Sequence, residues 1–299
     1  MEHKKFMDIQ RIKVGITENF QVGDFIVIQE KVDGANAAIR YDSKTNTIIA
    51  QSRKNILSPE NTLRGFYNFT QTLDKNKINK WLGDNIVLFG EWLVSHSVPY
   101  PDDAYNKFYV YDAYNLKTEK YFSQLTVKTL AEELGLIYIP TFYEGEFISW
   151  EHCMPYVGRT DLGGAYGEGI VVKNQTRLND PNNRQPFYLK IVGDKFSETK
   201  AHKIKQPKSA DELQAIADNT ALAETIVTDA RVTKILHKLV DEGILPENWG
   251  ASDMGIVAKN LPKAVVEDCI KEEPETVKQI SDFGKVANKI CMQIARSKI

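Results

Sequence analysis

Between residues 26 and 191 the apolar side chains of this chain come in short runs rich in β-branched and aromatic residues. Beyond about residue 208 they recur at spacings of three and four. That change of period constrains the fold most, because alternation belongs to strands and a 3.6-residue repeat to helices. The runs at 39–41, 47–51, 86–89, 107–111, 169–173 and 187–192 are bounded by turn residues and read as strands. Helical candidates lie between them at 66–82 and 123–134, the second with Ser123 placed to cap its first turn and Gly135 to end its last. In the last third, Leu213, Ile216 and Ala217, then Ile226, Val227 and Ala230, then Ile235, Leu236, Leu239 and Val240 follow helical spacing, as do Val277 and Ile280 and then Val286, Ile290 and Ile294. Pro246, Gly250, Pro262 and Pro274 punctuate these helices. The expected architecture is α+β: an antiparallel-sheet domain over 1–204, then a small all-helical domain over 205–299.

Composition narrows the function classes. The 299 residues are 42% hydrophobic and 26% charged, an ordinary globular balance with ample core. A formal net charge of -2 argues against a globally basic nucleic-acid binder, so a polyanion must be met by a local cluster of cations. Lys195, Lys200, Lys203, Lys205 and Lys208 form one such run at the change of texture, a solvated linker or a polynucleotide contact. Cys153, Cys269 and Cys291 have neither pairing nor metal-type spacing, no stretch approaches the roughly 20 apolar residues of a bilayer span, and residues 1–11 lack the apolar core of a secretory signal. A cytoplasmic protein with no membrane association is expected, and a monomer.

The densest polar stretch is Glu30-Lys31-Val32-Asp33-Gly34-Ala35-Asn36, set between an apolar run that ends at Ile28 and a second strand. A lysine becomes a nucleophile when burial and neighbouring cations disfavour its ammonium form. Lys31 then attacks a carbonyl or a phosphorus, Asp33 orients it or a hydrated metal, and Gly34 lets the backbone approach a ligand closely. Ser52-Arg53-Lys54 offers a guanidinium fork to a phosphate or a ribose. Phe89-Gly90-Glu91 ends a strand with a carboxylate suited to ribose hydroxyls or to a water on a metal. In Phe108-Tyr109-Val110-Tyr111-Asp112 an alternate aromatic can cover a flat base. Glu168-Gly169-Ile170-Val171-Val172-Lys173 puts an acid and a lysine five apart, on opposite faces of an ideal strand unless Gly169 bends it or both sit at strand ends. Lys190, inside the apolar strand Tyr188-Leu189-Lys190-Ile191, is either an edge residue or a cation turned toward an anion. A nucleophilic lysine, cations, acids for Mg²⁺ and a base platform are together what attack on the α-phosphate of a nucleoside triphosphate requires.

These six stretches, in this order, resemble the motifs of the covalent nucleotidyltransferase superfamily of DNA ligases, RNA ligases and mRNA capping enzymes. Within it the chain is most similar to ATP-dependent RNA ligases of the T4 RNA ligase 2 type, on the strength of Gly34-Ala35-Asn36, Lys195-Phe196-Ser197-Glu198 and a helical tail where the others carry a small β-barrel. The resemblance implies an ATP-grasp-like ligase fold and a catalytic set of Lys31, Glu91, Glu168, Lys173 and Lys190. It also implies nucleotide contacts from Glu30, Lys31, Asn36, Arg53, Glu91, Tyr111, Lys173 and Lys190, and a divalent metal (Mg²⁺, with Mn²⁺ able to substitute) served by Glu168 and Glu91. In that pattern Glu30 lies beside the adenine, Tyr111 stacks on it, Arg53 and Glu91 hold ribose or phosphate, Lys173 and Lys190 neutralise the α-phosphate, and Asn36 serves later steps on the polynucleotide. The implied substrates are ATP and RNA with 5′-phosphate and 3′-hydroxyl ends, in duplex or nicked form, as in RNA repair. The chain departs from the relatives in two places. Val192 stands where they carry a second lysine, for which Lys195 is a candidate substitute, and Asp33 stands where that branch has a histidine. The competing readings are a compact ATP-dependent DNA ligase, a capping guanylyltransferase, and a non-catalytic nucleotide- or RNA-binding module.

Overall fold

The structure is a computed structural model that describes residues 3–12, 17–179, 185–193 and 212–299, with side chains from 219 onward in the last stretch. The chain divides into two compact units, Met1–Gly193 and Asp194–Ile299. The boundary expected at 204/205 and the lysine run from Lys195 to Lys208 lie outside the described residues.

The first unit contains, in chain order, β1 (Gln10–Arg11), β2 (Phe25–Lys31), β3 (Ala35–Asp42), β4 (Thr47–Ser52), α1 (Phe66–Thr70), α2 (Lys75–Leu82), β5 (Ile86–Trp92), β6 (Phe108–Asn115) and β7 (Lys120–Tyr121). Then come α3 (Gln124–Leu134), β8 (Ile137–Tyr138), β9 (Thr141–Glu146), α4 (Trp150–Cys153), β10 (Gly169–Asn174) and β11 (Tyr188–Val192). One sheet has the order β1-β11-β10-β2-β9, the other β4-β3-β5-β6-β7 with β8 added beside β6. Pairing is antiparallel except for β1 with β11 and β8 with β6. The single helix expected over 66–82 is two, because Asp74 accepts from Asn76 and Lys77 N–H and caps a fresh start. Ser123 and left-handed Gly135 do bound α3 as expected.

Three apolar clusters divide the unit by strand face. Ala37, Ile39, Leu88, Val110 and Ala113 turn one face of the second sheet toward α1, α2 and α3. Ala38, Val87, Phe89 and Tyr114 turn its other face toward Tyr188 of the first sheet, with Phe6 and Met7 of the N-terminal segment packed among them. Ile26, Ile28, Ile170, Val172, Leu189 and Ile191 fill the outer face of the first sheet. Successive strand residues alternate faces, so Gln29, Lys31, Val171, Lys173, Tyr188 and Lys190 stand on the face that looks toward the second sheet.

The second unit comprises α5 (Glu212–Ile226), α6 (Asp229–Asp241), α7 (Met254–Glu272), α8 (Pro274–Lys278) and α9 (Phe283–Arg296), around a core that includes Leu236, Leu239, Val257, Leu261, Val265 and Ile290. Pro262 was expected to end a helix but lies inside α7. The stripe Val257, Leu261, Val265 and Cys269 is fully buried on both sides of it, and that packing outweighs one missing hydrogen bond. Arg231, buried in α6, donates to Ile226 O (2.5 Å) and pairs with Asp268 (2.9 Å). Among the described residues no helix is long and apolar enough to cross a membrane.

Gly169 lies opposite Lys31 on β2 and Val192 on β11, and a Cβ there would stand 2.1 Å from Ile191 O. Gly169→Ala should therefore lower stability by about 1–3 kcal/mol through forced separation of β10 and β11. Urea denaturation of the variant beside the parent measures this, and an unchanged midpoint would contradict the close approach.

Candidate active site

The interior strands are buried along most of their length, and the exceptions are informative. Lys31, Asn36, Glu91, Tyr111, Val171 and Lys190 keep partial exposure between buried neighbours. Val171 is the middle residue of the central strand of its sheet, so its exposure marks an opening between the two sheets. Tyr111 comes to that opening from the other side through a β-bulge. Phe89 pairs with Asp112 and Gly90 with Val110, which leaves Tyr111 as the extra residue. Val110 and Ala113 both enter the helix-covered core, so the bulge turns two adjacent residues, Tyr111 and Asp112, toward the first sheet.

At the mouth of the opening, Lys31 Nζ is ion-paired with the Glu168 carboxylate. The contact joins the last residue of β2 to the residue before β10, and Glu168, free of strand alternation at that end, reaches the cleft side. The group touching Lys31 is thus an acid, whereas the sequence argument had invoked neighbouring cations. Glu91 accepts from Gly34 N–H (3.2 Å), which ties the carboxylate at the end of β5 to the turn after Lys31. Loss of water around its carboxyl pushes Glu91 up to about 8, against the pull of Lys31 and His96 and with help from the charges of Glu168 and Asp33. Its proton is therefore largely retained at neutral pH. Asp33 behaves oppositely. Burial alone would raise it, but His96, the charge of Lys31 and Val98 N–H hold it at about 2. Its carboxylate accepts from Ser97 N–H (2.7 Å) and Val98 N–H (2.9 Å) and lies 3.6 Å from His96 Nδ1, so it pins the loop after β5. Tyr100 completes that anchor by accepting from Asp33 N–H (3.1 Å).

The remaining expected residues take separate positions. Asn36 donates its amide to the Tyr111 hydroxyl, which fixes that ring at the cleft wall. Lys173 lies deeper. It is 1% exposed, donates to Tyr111 O (2.5 Å) and Asp112 Oδ2 (3.1 Å), and stands 5.6 Å from the centre of the Tyr111 ring. Burial draws Lys173 down and Asp112 up, and their attraction opposes both shifts. Expected at the α-phosphate, Lys173 is instead the floor beneath Tyr111. Arg53 is ion-paired with Asp8 of the N-terminal segment, whose Phe6 ring packs against Tyr111 at 4.9 Å. Glu30 is buried on the outer face, opposite in direction to Lys31, where its Oε2 accepts from Asp161 N–H (3.0 Å). Desolvation raises its pKa. Lys190 shares the cleft face with Lys31, one level further in. His96, Tyr100, Asp8 and Val171 were not singled out from sequence. Only Val171 lay within a recognised motif, and the others carry no local signal.

The sequence model of the RNA ligase family matches residues 24–192, more than half of the chain. The chain belongs to the RNA ligase family. Among solved structures the chain is similar to those of Naegleria gruberi RNA ligase. An apo mutant is 17% identical with a TM-score of 0.47, covering 64% of this chain and 56% of that one. A mutant with ATP and Mn is 16% identical with a TM-score of 0.46 over the same shares, and a form with PPi is 17% identical with a TM-score of 0.45, covering 65% and 57%. This RNA ligase family chain thus spans little more than half the length of those relatives. No curated protein matches it.

Glu91 supplies a pH test with a definite sign. Its folded pKa is raised, so the stability its proton confers is complete below about 4.5 and is lost as pH rises through about 8. The melting temperature of the parent relative to Glu91→Gln should fall between pH 5 and pH 8 and level off above, at about 2–4 °C for each kcal/mol lost. Parallel melting-temperature profiles of the two proteins read this directly.

Proposed function

We propose that the protein is an ATP-dependent RNA ligase that works through a lysyl-adenylate. The observation that carries this reading is the Lys31 ammonium held on Glu168, beside Glu91, at the mouth of an opening walled by Tyr111 and Val171. The match to the RNA ligase family over 24–192 supports it. A flat purine fits between an aromatic ring and a branched aliphatic chain. With the base there, Lys31 is the nucleophile nearest to a phosphate leaving the opening.

No cluster of three or more metal-ligating side chains is preformed among the described residues, so a divalent cation would be held by Glu168 and Glu91 together with the nucleotide. Lys31 is ion-paired with Glu168 and lies within electrostatic reach of Glu91 and Asp33, and loss of water is the main cause that raises Glu91. Glu91 and Glu168 are hard oxygen donors of the kind Mg²⁺ takes, and a bound ion would draw its other ligands from phosphate oxygens and water. When bound, Mg²⁺ neutralises charge on the triphosphate.

Glu168 is placed to take a proton from Lys31, freeing the lone pair of Nζ for attack on the α-phosphorus. A nitrogen–phosphorus bond forms as the bond to the β-phosphate oxygen breaks, and pyrophosphate leaves with that electron pair. The AMP then passes to a 5′-phosphate end, which regenerates the lysine. A 3′-hydroxyl attacks the activated phosphate, a phosphodiester forms and AMP departs. Lys190 stands on the cleft face where it can stabilise the transferred phosphate, while Lys173 and Asn36 set the position of Tyr111. The three buried cysteines form no disulfide, which fits a reducing, cytoplasmic setting.

Incubation with α-labelled ATP and Mg²⁺ should label the protein covalently, and Lys31→Ala should abolish the label, as read on denaturing gels. Labelling by GTP in place of ATP would favour a capping guanylyltransferase. For the nucleic acid we propose nicks in duplex RNA. Matched nicked duplexes that differ only in RNA or DNA on the 3′-hydroxyl side should be sealed at least about tenfold faster with RNA, and faster sealing of the all-DNA nick would point to a DNA ligase.

A further inference from the structure

The second unit carries a charge asymmetry that its fold does not require. Residues 212–282 hold fourteen acidic and seven basic side chains, whereas residues 283–299, which are α9 and the three positions after it, hold four basic and none acidic. Phe283, Ala287, Ile290, Cys291 and Ala295 turn one side of α9 into the core. On the opposite side Lys285, Lys289 and Arg296 are exposed. At 3.6 residues per turn these three positions fall within about 40° of one another around the helix axis and span about 16 Å along it. They make one straight row of cations. Elsewhere in the unit basic groups meet acids, as Arg231 meets Asp268, Lys263 meets Glu267 and Lys278 meets Glu275. Among the described residues Lys289 and Arg296 have no such partner. Lys285 is paired with Asp282 (3.1 Å), but the two side chains are 84% and 72% exposed, a setting in which an ion pair is worth little and the cation is free to turn to another anion.

Like charges four residues apart destabilise a helix, so the row costs α9 stability that an anion laid along it returns. That anion must be extended, because the charges are strung out over three turns. The face does not suit a membrane surface: no large hydrophobic residue between 283 and 298 is exposed, and Met292, which lies in the row, is half-buried. Asn288 and Gln293, exposed on the two flanks of the row, add neutral donors of the kind that reach phosphate and sugar oxygens. Resting on the RNA ligase reading given above, we propose that the exposed face of α9 binds the phosphate backbone of the RNA through Lys285, Lys289 and Arg296. Contacts of this kind hold the polynucleotide in place without reading its bases.

The test compares charge removed from α9 with the same charge removed elsewhere in the unit. Binding of a fluorescent nicked RNA duplex is titrated over a range of salt with the full-length chain, with Lys289→Gln/Arg296→Gln, and with Lys259→Gln/Lys263→Gln on α7. Glutamine is a good helix former, so both pairs of changes keep the helices. The α9 variant should lose about tenfold or more in affinity, and its plot of log affinity against log salt should be shallower by about two, one for each phosphate contact removed. The α7 variant should stay within about twofold. Covalent labelling by ATP should be unchanged in the α9 variant, while sealing at limiting RNA slows about tenfold. Unchanged RNA affinity and salt slope, or an equal loss in the α7 variant, would overturn the assignment. So would loss of binding to anionic phospholipid vesicles with RNA binding intact, which would give the face to a membrane. Should the α9 variant melt well below the parent, the two single variants replace it, each with half the change in slope. Failure of the ligase reading has a different signature: no labelling of the parent protein by ATP, whatever stands on α9.

Discussion

The pairing of β2 with β10 is the constraint on which the rest of the cleft depends. Register sets Gly169 opposite Lys31, and absence of a side chain at 169 lets β11 close on the far side. Glu168 is thereby placed one residue before the strand, where alternation no longer dictates its direction, and it meets the lysine. The expected conflict between Glu168 and Lys173, five apart on one strand, is resolved by giving them different jobs. Glu168 serves the mouth of the cleft and Lys173 its floor.

The electrostatics follow from that geometry. Carboxylates from three loops and strand ends converge on one ammonium, and each meets the crowd in its own way. Asp33 stays ionised because two backbone N–H groups and His96 point at it. Glu91, its carboxyl stripped of water and with fewer donors, holds its proton. Positive charge brought to the mouth of the cleft would relieve the repulsion among these acids. The deep Lys173–Asp112 pair adds no charge to the cleft but locks the backbone of Tyr111 from beneath, as Asn36 and Phe6 lock its ring.

Much of the candidate site was legible one motif at a time. Lys31, Asn36, Glu91, Glu168 and Lys190 reach the cleft from strand ends or from strand faces that alternation predicts, whereas Tyr111 reaches it through a bulge. Glu30, Arg53 and Lys173 were legible as unusual residues but not in their partners, since Asp161, Asp8 and Asp112 lie far away in sequence. His96 was invisible. A histidine in a loop has no period or spacing to report it.

The sequence by itself determined the two kinds of unit, the caps of α3, the order of the strands along the chain and the inventory of chemistry they carry. Those properties depend on neighbours within a few residues, and local sterics and capping hydrogen bonds act at that range. Only the tertiary structure decided which acid meets Lys31 across 137 positions of sequence, that a bulge turns both Tyr111 and Asp112 inward, and that Lys173 is buried rather than exposed to the cleft. Each of these is a matter of register between distant segments. Register is selected by the packing of whole sheet faces, a quantity no short stretch of chain contains.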